Sequence, residues 1–187
     1  MNMNKYYTID IAGMKRDLPL CKVNEELYIG AFVIFGDVKL TEHTAAELIK
    51  RAPEHDVIIT AESKGIPLAY EMARQSGKPY VIARKAPKLY MRNVVFTHVK
   101  SITTVAEQML CLGSDEIEKM KGKRVLIVDD VISTGESIAS VVQLVNQVGG
   151  EIVGKMAILA EGDAIERKDI VALAKLPLFD GQGNVIN

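Results

Sequence analysis

From about residue 55 to residue 160 the hydrophobic pattern alternates between short continuous apolar runs and longer stretches with apolar residues at helical spacing. DVIITA (56–61), PYVIARK (79–85), RVLIVDD (124–130) and EIVGKMAILA (151–160) are runs of strand type. PLAYEMARQSG (67–77) has Pro near its start and Gly at its end, the punctuation of a helix. DEIEKMKG (115–122) reads as a short helical turn closed by Gly, and SIASVVQLVNQVGG (137–150) as a longer helix ended by paired glycines. Strands separated by helices pair in parallel, through crossovers that cover the sheet. The expected class is therefore α/β, with a central parallel sheet and helices on both faces. In such sheets ligands bind beyond the carboxyl ends of the strands, so the residues that end each run carry the most information.

Two segments stand outside the alternation. Residues 1–54 hold a possible hairpin, ELYIGAFVIFG (26–36), and an amphipathic helix, TEHTAAELIKRA (41–52). Residues 86–113 form a long excursion rich in β-branched residues and poor in obvious core positions. Excursions of this length are lids or binding loops, or else a two-stranded ribbon at the sheet edge. A length of 187 residues suits one domain. A net charge of -1 argues against a general nucleic-acid binder. Cys21 and Cys111 are too far apart in sequence for a zinc module and fit a reducing, cytoplasmic setting. No apolar run approaches the roughly 18 residues of a membrane span, and the N-terminus lacks a secretory leader's apolar centre. His43, His55 and His98 have the wrong spacing for a shared metal and read as surface or structural residues.

VLIVDDVISTGES (125–137) is the most chemically specific stretch. Asp129 and Asp130 follow four apolar residues. If extended they project to opposite sides, so at least one can face a ligand; a strand-ending Asp also serves simply to cap the following turn. Paired acids accept hydrogen bonds from a diol or hold Mg²⁺ through water. Ser133, Thr134, Gly135, Glu136 and Ser137 then lead into a helix, whose first N–H groups attract an anion. Ser133 or Thr134 also fits a plain N-cap role. Acids repel phosphate while hydroxyls and N–H groups bind it. A phosphorylated sugar reconciles the two.

This stretch resembles the phosphoribosyl pyrophosphate (PRPP) motif of type I phosphoribosyltransferases. TAESKGIPLA (60–69) looks like the pyrophosphate loop of the adenine phosphoribosyltransferase-like branch, and ARKAPKLYM (83–91) is similar to the basic stretch before its flexible lid. The resemblance covers about residues 55–160. It implies one domain over 1–187, with a base-selecting hood from 1–54 and 161–187, a PRPP-binding core over 55–160 and a lid over 86–113. It implies that Asp129 and Asp130 bind the ribose hydroxyls and favour a cation-like transition state, with Mg²⁺ bound alongside PRPP. Ser133, Thr134, Gly135, Glu136 and Ser137 would hold the 5′-phosphate. Ser63, Lys64 and Gly65 would contact pyrophosphate, with Arg84, Lys85 and Lys88 adding positive charge. A cis peptide is implied at Glu62–Ser63.

The implied activity is transfer of a phosphoribosyl group to a purine, adenine first and xanthine second, by a homodimer in nucleotide salvage. The partners would be PRPP and a nucleobase, not nucleic acid or membrane. Phe32, Phe35 and Phe179 are the hood's stacking candidates, although an aromatic there more often serves packing. The sequence departs from the branch in the lid, where Thr103 stands near the place of a glutamate and Glu107 follows, and in FVIFGDVKL, which keeps only Phe35 and Asp37. The rival expectation is a regulatory protein that senses PRPP without turnover. A DNA-binding winged helix would need roughly 70 residues, more than precede the first core strand.

Overall fold

The computed structural model of the chain describes residues 5–99 and 108–186. Five parallel strands form the central sheet in the order β10-β9-β8-β4-β5. They are β4 (Val57–Ala61), β5 (Tyr80–Ala83), β8 (Arg124–Ile132), β9 (Glu151–Glu161) and β10 (Val171–Leu176). The helices are α1 (Val38–Ile49), α2 (Ile66–Ser76), α3 (Ser114–Met120) and α4 (Glu136–Gln147). On one face Ile58, Leu126, Val128 and Met156 pack with Leu48 of α1 and with Leu68 and Met72 of α2. On the other, Val57, Ile59, Val125 and Ile127 pack with Val141, Leu144 and Val145 of α4 and with Met120. Burial on both faces explains why the strand sequences read as continuous apolar runs. The expected α/β class and the expected elements from 56 to 160 are therefore present, with boundaries shifted by a few residues.

The strand order places the ligand-binding crevice. From β4 the chain steps outward to β5; from β8 it steps the other way, to β9 and β10. β4 and β8 lie side by side at this reversal, and the crevice opens beyond their carboxyl ends.

Three features differ from expectation. Residues 26–36 do not form a hairpin. The hairpin is β1 (Tyr6–Ile11) with β2 (Met14–Lys22), turned by Ala12 and Gly13, both at positive φ. Positive φ at both central residues matches the strand twist. β3 (Leu27–Gly30) pairs with β2, and β11 (Leu178–Asp180) pairs with β3, completing a four-stranded antiparallel sheet from both ends of the described chain. Secondly, the excursion 86–113 has a firm root. β6 (Val95–Val99) and β7 (Gln108–Leu112) form an antiparallel ribbon in which Thr97, Leu110, Cys111 and Leu112 are buried. Cys111 exchanges backbone hydrogen bonds with Arg84, and Thr97 Oγ1 donates to Gln143 Oε1 of α4 at 3.0 Å. The ribbon reading holds at the root, and the expectation of few core positions fails there; residues 100–107, with Thr103 and Glu107, lie outside the described residues. Thirdly, β10 was not read as a strand.

At the opposite rim Asp56 and Arg124 lock the entrances of β4 and β8 together. Arg124 donates from its backbone N to Asp56 Oδ2 and from Nη2 to Oδ1, both at 2.9 Å, and Asp56 N donates to Arg124 O at 2.8 Å. The guanidinium bonds, then the backbone bond, hold the Asp56 carboxyl far below its usual value. A depressed carboxyl contributes stability above its ordinary value of 3.8, lost as pH falls through the folded value. Asp56→Asn is expected to lower the urea midpoint at pH 7, with the gap from wild type closing in acid below about pH 4. Urea titrations at pH 7, 5 and 3 check this; a gap that does not change with pH would contradict it.

Candidate active site

β4 and β8 deliver their end residues to one place. The register Ile59↔Ile127 carries Ala61 to the level of Asp129. Beyond Ala61 the peptide Glu62–Ser63 is cis, as the resemblance implied. The chain then turns through Lys64 and Gly65 into α2, with Pro67 in the first turn. Gly65 lies so close to β8 that a Cβ there would stand 2.2 Å from Thr60 Oγ1 and 2.8 Å from Asp129 Oδ1. Only glycine permits this approach.

Asp129 and Asp130 fall within the last four residues of β8. Asp130 N–H donates to Asp129 Oδ1 at 2.9 Å. Asp130 is 3% exposed, and Lys64 Nζ lies 3.3 Å from its Oδ2. That approach has ion-pair distance without hydrogen-bond alignment, so Oδ2 is buried with no hydrogen bond. Burial first, and the neighbouring Asp130 charge second, push the Asp129 carboxyl well above the usual carboxylate range, while Lys64 opposes the shift. Folded Asp129 thus keeps its proton to higher pH than the unfolded chain does. Its contribution to stability is full below the ordinary value and is lost as pH rises through the raised one. The pair is a concentration of negative charge that a cationic partner relieves.

Ser63, Lys64, Lys85, Asp129, Asp130 and Ser137 line one cavity of about 510 Å³. Ser133, Thr134, Gly135, Glu136 and Ser137 line a smaller hollow of about 120 Å³, sharing Asp129, Val131 and Ser137 with the first. Gly135, at φ 86°, turns the chain into α4, so the hollow opens at that helix's N-terminus. Acids, basic loop and hydroxyl loop therefore line two adjoining spaces that share a wall of Asp129, Val131 and Ser137.

The remaining expected residues sit differently. Arg84 Nη1 donates to Glu62 Oε1 at 3.2 Å, and Lys85 N–H to Glu62 Oε2 at 3.1 Å. These bonds draw the Glu62 carboxyl below its usual value. Arg84 is thus partly neutralised beside the cavity, outside its lining. Lys88 is exposed and also outside the lining.

The family model for the phosphoribosyl transferase domain matches residues 37–178, most of the chain. The chain belongs to the phosphoribosyltransferase family. It is 33% identical over 152 residues to the hypoxanthine/guanine phosphoribosyltransferase of Methanotorris igneus, covering 77% of this chain and 79% of that one. It is 37% identical over 148 residues to the adenine phosphoribosyltransferase of Cenarchaeum symbiosum, covering 78% and 84%. In fold it resembles the adenine phosphoribosyltransferase of Thermoanaerobacter pseudethanolicus, with a TM-score of 0.65 at 23% identity, over 76% of this chain and 84% of that one.

Within this phosphoribosyltransferase fold, the aromatic candidates are corrected. Phe179 is 1% exposed and packs edge-on against Tyr7, with ring centroids 5.0 Å apart. Phe32 is 5% exposed in the core, and Phe35, though exposed, does not line the cavity. Phe32 packs in the core shared by the central sheet, α1 and α2, and Phe179 packs on Tyr7. Asp37 caps α1, accepting from Leu40 N at 3.1 Å, and pairs with Arg16. His43 and His55 each bond a backbone carbonyl, of Ala12 and Pro53. Sequence reasoning missed Met109, Leu110 and Val131, which add apolar wall to the cavity; the alternation QMLCL, read as lid, was the signal for the first two.

Gly65→Ala is expected to displace the 62–65 loop from Asp129. A misplacement near 1 Å costs about 100-fold in rate. Phosphoribosyl transfer should fall by that order with a native circular dichroism spectrum. Unchanged turnover would show that the close approach is dispensable.

Proposed function

We propose that the protein transfers the phosphoribosyl group of PRPP to a purine base, adenine first, releasing pyrophosphate and forming a nucleoside monophosphate. The observation that carries this reading is that Asp129, Asp130, Ser63 and Lys64 line one cavity, and that the Ser133–Ser137 loop lines a hollow beside it which shares Asp129, Val131 and Ser137. A sugar bearing phosphate at one end and diphosphate at the other matches that order of acceptors and donors.

Breaking the bond from C1 to pyrophosphate leaves positive charge on the ribose ring and negative charge on the departing group. Asp129 and Asp130 accept hydrogen bonds from the ribose hydroxyls and set their charge against the developing cation. Ser63 and Lys64, with Lys85, receive the diphosphate. Lys64, 3.3 Å from Asp130 in the free protein, stands between the two charges. The hydroxyl loop and the first turn of α4 hold the 5′-phosphate.

The residues fit Mg²⁺ as a shared rather than a caged ion. Asp130 Oδ2 is buried without a hydrogen bond, and the described residues contain no cluster of three or more ligating side chains. Asp129 and Asp130 would hold the ion through water or together with PRPP oxygens. When bound, it neutralises diphosphate charge.

Adenine is first because the C. symbiosum relative and the T. pseudethanolicus structure are adenine enzymes by name. Hypoxanthine and guanine follow from the M. igneus relative, and xanthine is the further candidate. The antiparallel sheet of residues 6–30 and 178–180 serves as the hood. Residues 5–37 contain no helix, and α1, which follows, packs on the central sheet through Leu40 and Leu48.

Pyrophosphate release from PRPP and Mg²⁺, screened with adenine, hypoxanthine, guanine, xanthine and orotate, tests the reading. PRPP binding without turnover on any base would favour a sensor. Asp130→Asn is expected to lower kcat about 100-fold, with a smaller effect on the dissociation constant of PRPP, since an amide keeps hydrogen bonding but not charge. Unchanged kcat would contradict the role.

A further inference from the structure

Arg167, which follows the 3-10 turn Gly162–Glu166, reaches back across the sheet end to the hydroxyl loop. A Cβ built on Gly135 would stand 2.3 Å from Arg167 Nη1, so the guanidinium lies directly against the backbone of the loop. Its other nitrogens are fixed. Nε donates to Asp169 Oδ1 at 3.1 Å and Nη2 to Asp169 Oδ2 at 3.0 Å. Lys155 Nζ donates to the same Oδ2 at 2.8 Å. These bonds raise the arginine and hold the Asp169 carboxyl far below its usual value. The trio is two cations sharing one anion, with a net charge of about +1 at neutral pH. Among the described residues Nη1 has no hydrogen-bond partner, and it is the nitrogen on the Gly135 side, against the loop that lines the hollow though not in the lining itself.

We propose that Arg167 is a further binding residue for the 5′-phosphate of the sugar, clamped for that task by Asp169. This rests on the phosphoribosyl reading of the Ser133–Ser137 loop and adds to it a side-chain cation. The loop's own donors are neutral hydroxyls and N–H groups, and its one charged side chain, Glu136, is acidic. A dianionic phosphate there gains from a fixed guanidinium, whose bonds to anions are about twice as strong as neutral ones. The Asp169 fork sets the plane of the guanidinium, so ligand binding need not order a free side chain. The packing also explains Gly135 a second way: besides its positive φ, a side chain there would evict Arg167.

Titration calorimetry with ribose 5-phosphate, PRPP and pyrophosphate, on wild type and on Arg167→Gln, Arg167→Lys and Asp169→Asn, tests this without turnover. Arg167→Gln should weaken ribose 5-phosphate and PRPP together, by roughly tenfold or more, and leave pyrophosphate within about twofold. Arg167→Lys, which keeps the charge and most of the packing, should recover part of the loss. Asp169→Asn, which loosens the clamp but also removes the trio's anion, should lose less ribose 5-phosphate affinity than Arg167→Gln. In wild type, ribose 5-phosphate affinity should fall more steeply with salt than in Arg167→Gln. Wild-type ribose 5-phosphate affinity in Arg167→Gln would overturn the proposal. So would equal loss of ribose 5-phosphate and pyrophosphate, the sign of a general collapse. Wild-type protein that binds neither PRPP nor ribose 5-phosphate would overturn the underlying reading, and this one with it.

Discussion

The site depends on one steric constraint: the backbone at Gly65 lies against the Asp129 side chain and Thr60 with no room for a Cβ. That contact sets the spacing between a loop that offers donors and a strand end that offers two acids. Widen it, and Lys64 no longer stands 3.3 Å from Asp130. Close it further, and the Gly65 backbone meets the Asp129 side chain. Sheet register, the reversal of winding between β4 and β8, and packing on both faces all act to hold this distance.

Next to the same contact, the acids have Lys64 as their counter-charge but keep an unmet hydrogen-bonding capacity. A buried carboxyl usually has its hydrogen bonds satisfied, yet Asp130 Oδ2 has none and Asp129 is pushed toward protonation by burial and by its neighbour. Fully paired acids would be more comfortable in the free protein and less available to a ligand. In the function proposed above, ligand hydroxyls and a cation would supply the missing partners and so convert binding into stabilisation.

What the sequence revealed follows the strength of the local signal. RVLIVDD could be placed because four apolar residues bounded by charge have few other solutions, and the loop after it because hydroxyls before a helix have a direct anion-binding logic. The β1–β2 hairpin escaped because its turn is Ala12-Gly13 rather than Asn-Gly or Asp-Gly, although Tyr7, Ile9 and Ile11 alternate inward with Thr8 and Asp10 outward. Phe179 fits stacking or packing when read locally, because its burial depends on a strand, β3, some 150 residues earlier. Arg167 carried no motif at all. It becomes visible only when β10 and its preceding turn are folded beside α4, a long-range effect that no local window contains.

The Asp56–Arg124 lock sits at the far rim from the acids, with the full length of β4 and the apolar part of β8 between them. Durability and chemistry are thereby assigned to opposite ends of the same two strands. The lower rim fixes the register from which the crevice takes its spacing, without placing a charge in the crevice itself. Conversely, the acids above can be rebuilt for another ligand without loosening the joint that keeps the strands in step. A sheet wired this way tolerates experiment at one end because it is fastened at the other.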